Sequence, residues 1–361
     1  MKKKVGIMSM QRIINYGSFL QAYGLKKIIE ENTDSEVQFI DYKSETEVDR
    51  EKRELKKSII RKIIENKTII RYIRKKKFLA ASKDKYEKDL KIIGVGEINY
   101  HPQIDTLVIG SDEVFNCIQP LPVGYSRDLF GKGYENIKVI SYAASFGYTT
   151  YDALKEAGIL DEISKMLEKF KDISVRDSNS YELVNRLIAH EPIKHLDPVL
   201  VYDFSKELKK YKIDEHDYIV LYAYTGRLRS EEEKYIKKFA KQRNKKIISI
   251  GYFSPIADKN IICNPLYVFS YFKNADYVIT DTFHGTIFSI KMNTKFCSII
   301  RESNKNKLID LLETVGRTDR MVNKLNDISR LYNEEIDYED TNNIISNERG
   351  KAIKYLQDYL E

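Results

Sequence analysis

The sequence predicts an α/β protein of two domains, each built on a parallel β-sheet, with the two sheets facing a cleft. Apolar runs rich in β-branched residues, such as 105–110 and 139–144, are typical of strands that helices cover on both faces. Helical patterns alternate with these runs, and such alternation favours parallel sheets with right-handed crossovers. One series starts at Val5 and a second at Tyr218, so we expect two Rossmann-like domains with a boundary within 203–214.

The first predicted domain comprises residues 1–205. Its predicted strands are at 5–10, 37–42, 105–110, 139–144 and 173–175, and its predicted helices are at 16–31, 153–169 and 180–189. Asn15 and Gly17 lie at the start of the first helix, and a basic, helix-like segment at 50–91 interrupts the series. Pro198 predicts an extended chain over 196–200, because a proline disfavours helical conformations in the residue before it.

The second predicted domain comprises residues 206–330. Its predicted strands are at 218–222, 246–251, 277–279 and 296–300, and its predicted helices are at 230–242, 265–273, 284–292 and around 308–315. Residues 331–361 form a tail with a helix at about 344–360, which could pack back on the first domain.

Composition limits where the protein acts and what it binds. The 361 residues suffice for two hydrophobic cores. No apolar run approaches the roughly 20 residues of a membrane span, and the apolar stretch at 5–10 is too short for a signal peptide. Cys117, Cys263 and Cys297 are odd in number and lack metal-ligand spacing, and the histidines are scattered. We therefore expect a cytoplasmic protein that binds no metal.

The chain is organised around residues 277–300, a strand–helix–strand unit that places His284, Gly285 and Thr286 at a helix N-terminus. The first backbone N–H groups of a helix have no partner inside it, and the helix dipole favours anions there. Gly285 lets a ligand approach the backbone without a side chain in the way, so a phosphate could bind beside the imidazole. The structural alternative is that the preceding turn caps the helix and His284 hydrogen-bonds locally.

This unit resembles the TDSFHGTVFSI-type signature of the polysaccharide pyruvyl transferases. Other segments resemble further motifs of that family, in the family's order: IINYGSFLQAYGL at 13–25, DTLVIGSDEVFN at 105–116, SYAASFG at 141–147, ISVRDSNSYELV at 173–184 and LDPVLVYD at 196–203. The second of these departs from the family pattern, with Glu113 in place of Gln and Phe115 in place of Trp. The resemblance covers roughly residues 5–320.

The resemblance implies a glycosyltransferase-B-like architecture and a transferase reaction. Pyruvate would move from phosphoenolpyruvate to two hydroxyls of one sugar, in an exopolysaccharide or capsule, or in its lipid-linked precursor. The product would be a cyclic ketal, with phosphate released. Phosphoenolpyruvate is then the donor substrate, and no separate cofactor is implied. Such chemistry needs a proton for the donor's methylene carbon, a base for each attacking hydroxyl, and cations for the donor's carboxylate and phosphate.

Two candidates for catalysis follow from that chemistry. His284 is the proton-transfer candidate, because imidazole titrates near neutral pH, and both acid and base roles stay open. Asp112 could orient or deprotonate a sugar hydroxyl, or it could cap a turn.

The donor-binding candidates are mostly cations near strand ends, where open α/β sheets bind ligands. Arg176 falls in the family's SVR motif and offers two parallel N–H donors to an anion. The other donor-binding candidates are Gly285, Thr286, Arg301 and Lys305, with Arg227 and Arg229 as further cations. Each cation could instead form a surface ion pair.

The acceptor-binding candidates follow two predicted strands of the first domain. They are Asn15, Tyr16, Gly17, Ser111 and Asn116. We therefore expect the sugar on the first domain and the donor on the second, with turn capping as the alternative role of Ser111.

Two other functions fit the same architecture. A nucleotide-sugar glycosyltransferase commonly holds the ribose with an acidic residue of its second domain. This sequence has no Asp or Glu from 282 to 301, where Lys291, Lys295 and Arg301 occur, and that favours a small, doubly anionic donor. The other alternative is a non-catalytic scaffold at the membrane surface in polysaccharide assembly.

The positive charge is concentrated in one segment. The chain has a net charge of +7, but residues 50–91 hold 17 Lys and Arg against six Asp and Glu, a local net of +11 that leaves the rest at −4. Apolar residues recur there at near-helical intervals, at Leu55, Ile59, Ile63, Ile70 and Ile73. The segment could be a solvated helical face, or it could dock on the anionic inner face of a membrane that carries lipid-linked acceptors. No recognisable nucleic-acid-binding module accompanies it, so we expect no nucleic acid partner.

Overall fold

The computed structural model describes residues 2–45, 69–119 and 123–361. Within these ranges, twelve strands form two six-stranded parallel sheets, which confirms the predicted α/β class. The first sheet contains β1 (Lys3–Met8), β2 (Ser35–Ile40), β3 (Thr106–Asp112), β4 (Lys138–Ala144), β5 (Ser174–Val175) and β6 (Ile193–Lys194). Their order across the sheet is β2-β1-β3-β4-β5-β6.

The second sheet repeats the parallel arrangement. It contains β7 (Tyr218–Tyr222), β8 (Lys246–Ile250), β9 (Lys259–Ile261), β10 (Tyr277–Thr280), β11 (Phe296–Ile299) and β12 (Met321–Val322). Their order is β12-β11-β10-β7-β8-β9. The central strand β10 therefore delivers residues 281–284 to the middle of the carboxyl edge of this sheet, where open α/β sheets bind ligands.

Helices connect and cover the strands. They are α1 (Tyr16–Asn32), α2 (Ile69–Asp89), α3 (Tyr151–Glu156), α4 (Leu160–Leu167), α5 (Ser178–Leu187), α6 (Pro198–Val201), α7 (Ser205–Lys210), α8 (Ser230–Gln242), α9 (Val268–Lys273), α10 (Phe283–Lys291), α11 (Lys305–Thr314), α12 (Asp327–Asn333) and α13 (Glu339–Leu360). Short 3₁₀ turns occupy Leu90–Ile93, Arg127–Phe130, Pro265–Tyr267 and Thr318–Arg320. All seven residues of β3 are buried, as expected of a central strand with helices on both faces.

One hydrophobic core runs through both domains. Phe19 of α1, Leu200 of α6, Phe288 of α10 and Leu356 of α13 belong to the same buried cluster. Each such side chain contributes about 1.5–3 kcal/mol when it is fully buried. Packing therefore fixes the helices that border the cleft against one another. The side chains at the N-termini of these helices are held in fixed relative positions as a result.

The last helix, α13, packs back on the first domain. Tyr355 Oη donates a hydrogen bond to the carbonyl oxygen of Ser141 at 2.9 Å, and Gln357 Nε2 donates to that of Asn32, also at 2.9 Å. The chain thus crosses between the domains twice, once before β7 and again through α13.

Two local predictions are wrong. Residues 196–200 are not extended, because Pro198 occupies the first position of α6, where a proline lacks only an N–H that would be unpaired anyway. The predicted helix at 153–169 is two helices, α3 and α4, because Gly158 between them has φ of +68°. Of the basic segment at 50–91, residues 50–68 lie outside the described ranges.

Within the described ranges, none of the helices combines the length and the apolar character that a membrane crossing requires.

Candidate active site

The N-terminus of α10 fixes the position of His284. Thr282 caps this helix, its Oγ1 accepting a hydrogen bond from the backbone N–H of Gly285 at 2.9 Å. Gly285 lies against the sheet, and a Cβ added there would be 2.1 Å from Thr280 Oγ1. Thr286 is fully buried, with its Oγ1 2.7 Å from Ser298 Oγ. The glycine and Thr286 therefore serve helix–sheet packing, and the cap interpretation holds for this turn.

His284 lies where the two domains meet. Its side chain is 8% exposed, and its Nε2 is 3.6 Å from Asp197 Oδ2, just beyond hydrogen-bond distance. No hydrogen-bond partner for this Nε2 exists among the described residues. Gly17 of α1 borders the ring so closely that an added Cβ would be 2.1 Å from His284 Nδ1. The imidazole is thus held between a carboxylate and a helix of the first domain.

Arg176 is buried between two carboxylates. Its Nη1 donates to Asp197 Oδ2 at 3.1 Å and its Nη2 to Asp112 Oδ1 at 3.3 Å. The guanidinium also stacks 4.7 Å from the ring centroid of Phe283, the residue before His284. Its Nε–H has no partner among the described residues, although the side chain is only 2% exposed. A buried donor without a partner is costly, so this N–H is suited to a ligand.

The same contacts keep both carboxylates ionised. Burial alone would raise the pKa of Asp112, but the Arg176 charge, His284 and a hydrogen bond from Ser18 Oγ together lower it below its ordinary value. The pKa of Asp197 is likewise lowered, because interactions with His284 and Arg176 outweigh its burial. Asp197 also caps α6, its Oδ1 accepting a hydrogen bond from the backbone N–H of Val199. This cap fixes the orientation of the Asp197 carboxylate.

His284, Arg176 and Asp112 border a cavity of about 150 Å³ between the domains. It is lined by Met10, Ile13, Asn15, Ser18, Asp112, Glu113, Gln119, Val123 and Arg176 of the first domain, and by Tyr224, Phe283, His284 and Lys307 of the second. Acidic groups lie mainly on the first domain, while the imidazole and an ammonium come from the second. The cavity therefore places proton-transfer groups and cations around one small space.

An ion pair crosses the cavity from one domain to the other. Lys307 Nζ donates to Glu113 Oε1 at 2.7 Å, and Asn116 Nδ2 donates to Glu113 Oε2 at 2.9 Å. Burial alone would raise the pKa of Glu113, but the Lys307 ammonium lowers it. Glu113 is the residue that replaces the family's glutamine, and its partner Lys307 is a cation that sequence reasoning missed.

The structure brings together some of the predicted site residues and sets others apart. His284, Asp112, Arg176 and Asn15 line the cavity, but Asn15 uses its Oδ1 to cap α1 through the N–H of Gly17. Gly17 itself touches His284. The missed residues Asp197 and Lys307 each lay close to a prediction, one inside the quoted LDPVL motif and the other two positions after Lys305.

Two predicted donor residues point elsewhere. Arg301 donates from Nη1 and Nη2 to the two carboxylate oxygens of Glu232, at 2.7 and 2.9 Å, and from Nε to Asp281 Oδ2 at 3.2 Å. Lys305 is exposed at the start of α11 and does not line the cavity. The ion-pair alternative thus describes Arg301, and it also describes Arg229, which contacts the same glutamate.

Three predicted acceptor residues are engaged in the protein's own contacts. Tyr16 Oη donates to the carbonyl oxygen of Cys263 at 2.7 Å, which ties α1 to the second domain. Ser111 is fully buried and donates to the carbonyl oxygen of Ala143 at 3.1 Å. Asn116 is buried and positions Glu113. None of the three lines the cavity.

In the part of the chain that the structure describes, no group of three or more His, Cys, Asp or Glu side chains could hold a metal ion.

Comparison with known proteins supports both the fold and the family. The family model described as polysaccharide pyruvyl transferase matches residues 15–303. No curated protein matches the sequence. The structure of a kitacinnamycin glycotransferase aligns over 100% of both chains at 8% identity, with a TM-score of 0.54. S. aureus MnaA in complex with UDP aligns over 100% of this chain and 97% of its own, at 11% identity and a TM-score of 0.52.

A longer protein also aligns. The chain spans 64% of the length of a Thermobaculum terrenum O-GlcNAc transferase mutant, with 99% of this chain covered, 10% identity and a TM-score of 0.41. At such low identities, the two structures with TM-scores above 0.5 show only the fold, which is glycosyltransferase-B-like. The family match is stronger, because residues 15–303 make up most of the chain and include all of the cavity-lining residues except Met10, Ile13 and Lys307. The chain belongs to the polysaccharide pyruvyl transferase family.

Proposed function

We propose that this protein transfers pyruvate from phosphoenolpyruvate to two hydroxyls of a sugar in a surface polysaccharide or its lipid-linked precursor, and that His284 moves the proton. One observation carries the proposal. A buried imidazole and a buried guanidinium border the same small cavity, and among the described residues neither His284 Nε2 nor the Nε–H of Arg176 has a hydrogen-bond partner. Proton transfer needs the first group, and an anionic donor needs the second.

The reaction balances with these groups. The first sugar hydroxyl adds to C2 of the donor while C3 gains a proton from His284, which makes the methyl group. The second hydroxyl then displaces the phosphate from C2, closing the ketal. One hydroxyl proton restores the imidazole and the other leaves with the phosphate. Asp197, whose Oδ2 is 3.6 Å from Nε2, positions the ring.

The donor would bind between Arg176 and Lys307. The Nε–H of Arg176, which has no partner among the described residues, suits the donor carboxylate, while Lys307, whose side chain is 24% exposed, suits the phosphate. The N-terminus of α10, which borders the cavity through Phe283 and His284, adds favourable dipole electrostatics. Arg301 and Lys305 take no part in this proposal, because neither lines the cavity.

The acceptor would lie on the first domain against Asp112. This ionised carboxylate accepts hydrogen bonds from Ser18 Oγ at 2.7 Å and from Arg176, and a sugar hydroxyl is a further suitable donor. Asn15 forms the adjacent wall of the cavity.

The size of the cavity favours a small donor over a nucleotide sugar. S. aureus MnaA holds UDP in a related fold. The cavity here is about 150 Å³, whereas pockets for drug-sized ligands are about 300–1,000 Å³. Phosphoenolpyruvate should therefore raise the melting temperature of the protein, and UDP sugars should not.

The decisive experiment is incubation with phosphoenolpyruvate and a panel of nitrophenyl and lipid-linked glycosides. The expected result is phosphate release together with a mass gain of one pyruvyl group on the glycoside. His284→Ala should lower turnover by about 100-fold or more at an unchanged melting temperature. Leu79→Ala, on the exposed side of α2, is a matched control and should retain full turnover.

Two results would overturn the proposal. One is stabilisation by a UDP sugar alone, which would indicate a nucleotide-sugar transferase. The other is an activity loss in His284→Ala that merely follows a loss of folded protein, which would leave the histidine a structural role.

A further inference from the structure

Helix α2 connects the two domains beside the cleft. It follows β2 in the chain, yet the Phe78 ring packs 5.9 Å from that of Phe253 in the second domain. At its start, Arg71 Nη2 pairs with Glu233 Oε1 of α8 at 2.7 Å. Near its end, Tyr86 Oη donates to the carbonyl oxygen of Gln11 in the first domain at 3.2 Å. These contacts fix the orientation of α2 on the protein.

The face of α2 that points away from the protein is apolar and cationic. Residues four apart, Phe78, Ser82 and Tyr86, are buried and form the inner face. The outer face consists of Ile69, Ile70, Ile73, Arg74, Lys76 and Lys77, all exposed. Ile70 is 71% exposed and Ile73 is 47% exposed. A surface helix ordinarily presents polar residues to water at such positions.

The structure shows whether the isoleucines of α2 pack inward or point outward. The sequence allowed Ile70 and Ile73 to pack onto the first domain and leave only the charges outside. In the structure they point outward together with the charges, and the aromatic residues of the helix make the internal contacts. Isoleucines flanked by Lys and Arg on one exposed face are the features of a helix that lies in a membrane interface.

Helix α2 lies near one wall of the cavity. Lys75, on the same turns of α2, has its Nζ 3.8 Å from the place of a Cβ added to Gly226. Two residues before Gly226 is Tyr224, which lines the cavity and is 36% exposed. A surface that docks on α2 would therefore be close to any acceptor entering beside Tyr224.

We propose that the outer face of α2 docks the protein on an anionic lipid bilayer, with its isoleucines among the acyl chains and its cations on the headgroups. The proposal deepens the proposed function and rests on it for one point, that the acceptor sugar is carried by a lipid in the same bilayer. The phosphates of a nucleic acid would bind the cations, but they would not bury the isoleucines. The paired presence of both residue types favours lipid.

The test is co-sedimentation of the full chain with vesicles. Vesicles of phosphatidylglycerol and phosphatidylcholine in equal parts should bind the protein, and vesicles of phosphatidylcholine alone should not. Binding should weaken steeply as salt rises, because attraction between exposed charges is screened over about 8 Å at physiological ionic strength. Failure of the native protein to bind the anionic vesicles at low salt would overturn the proposal.

Charge reversal locates the binding surface. Each cation near an anionic bilayer contributes about fivefold to partitioning. The triple variant Arg74→Glu, Lys76→Glu, Lys77→Glu should therefore bind about 100-fold or more weakly. A matched control makes the same charge change elsewhere, at the exposed lysines Lys209, Lys210 and Lys212. An equal loss in the control would show that net charge, and not this helix, drives binding, and would overturn the proposal.

A second pair of variants tests insertion. Ile70→Ser with Ile73→Ser keeps every charge but should weaken vesicle binding by about tenfold or more, because apolar side chains drive insertion. Unchanged vesicle binding in this variant, or equally tight binding of the native protein to a DNA duplex, would contradict insertion and overturn the proposal.

Turnover with a soluble glycoside separates this inference from the proposed function. The charge-reversal variant should keep native turnover on the soluble acceptor and lose turnover on a vesicle-bound one. Vesicle binding by a protein that shows no turnover with phosphoenolpyruvate would remove the proposed function and leave the docking surface in place.

Discussion

Gly17→Ala should disable the site through the imidazole of His284. The added Cβ would be 2.1 Å from Nδ1 and 2.2 Å from Cγ of that ring, both far inside van der Waals contact. The ring cannot easily move away, because Asp197 and the rings of Phe283 and Phe288 surround it. We therefore expect the ring to rotate or α1 to shift, and either change displaces the proton-transfer group.

The magnitude follows from two opposing effects. Alanine is favoured over glycine in a helix by at most about 1 kcal/mol. Overpacking a buried contact costs about 1–3 kcal/mol, so Gly17→Ala should lower the unfolding free energy by about 1 kcal/mol. A misplacement of about 1 Å costs roughly 100-fold in rate, so turnover should fall far more than stability does.

The control is the same substitution in a helix without the contact. Gly350 lies in α13, and a Cβ added there would meet nothing within 4 Å. Gly350→Ala should raise the unfolding free energy by about 0.5–1 kcal/mol and leave turnover unchanged. Both variants are measured by urea denaturation and by phosphate release.

A double variant tests the cause directly. In a His284→Ala background the clash is gone, so Gly17→Ala should become neutral or stabilising, with a coupling energy of about 0.5–3 kcal/mol. If Gly17→Ala instead behaves like Gly350→Ala, with higher stability and intact turnover, the close approach of α1 to the imidazole is wrong.

Three further predictions concern the charged groups. Arg176→Ala should lower the unfolding free energy by about 3–5 kcal/mol in urea denaturation, because it leaves two buried carboxylates unpaired; a stable variant would contradict this. Burial alone would raise the pKa of Glu232, but hydrogen bonds from Arg301 and a neighbouring arginine lower it to about 2. The unfolding free energy of Glu232→Gln should therefore be about 3 kcal/mol lower than that of the native protein above pH 4.5, and this difference should shrink as the pH falls towards 2; a pH-independent difference would refute the linkage. Glu113→Gln should raise phosphoenolpyruvate affinity by about tenfold in calorimetric titration, because Lys307 then lacks an ionised partner; weaker binding would show that Glu113 helps hold the donor.

Sequence reasoning predicted most of the elements and part of the site. The unit at 277–300 was placed to within a residue or two, because its apolar strands and its helix are strong local patterns. The location of His284 at a helix N-terminus follows from the same patterns. The role of Gly285 did not, because close helix–sheet packing and access for a ligand both select glycine. The prediction of an extended chain at Pro198 is wrong because a proline disfavours helix in the residue before it but suits the first position of a helix.

What the sequence determined by itself is the alternation of strands and helices, the two-domain parallel architecture and the family, since these depend on local patterns and on motifs in order. Only the tertiary structure decided which cations face the cavity. Arg301 is neutralised by a glutamate 69 positions earlier, and Arg176 is shared by Asp112, 64 positions earlier, and Asp197. Lys307 was absent from the predicted site because its partner Glu113 lies in the other domain. Ion pairs form between side chains that folding brings together, so the spacing of residues along the chain does not predict which side chains will pair.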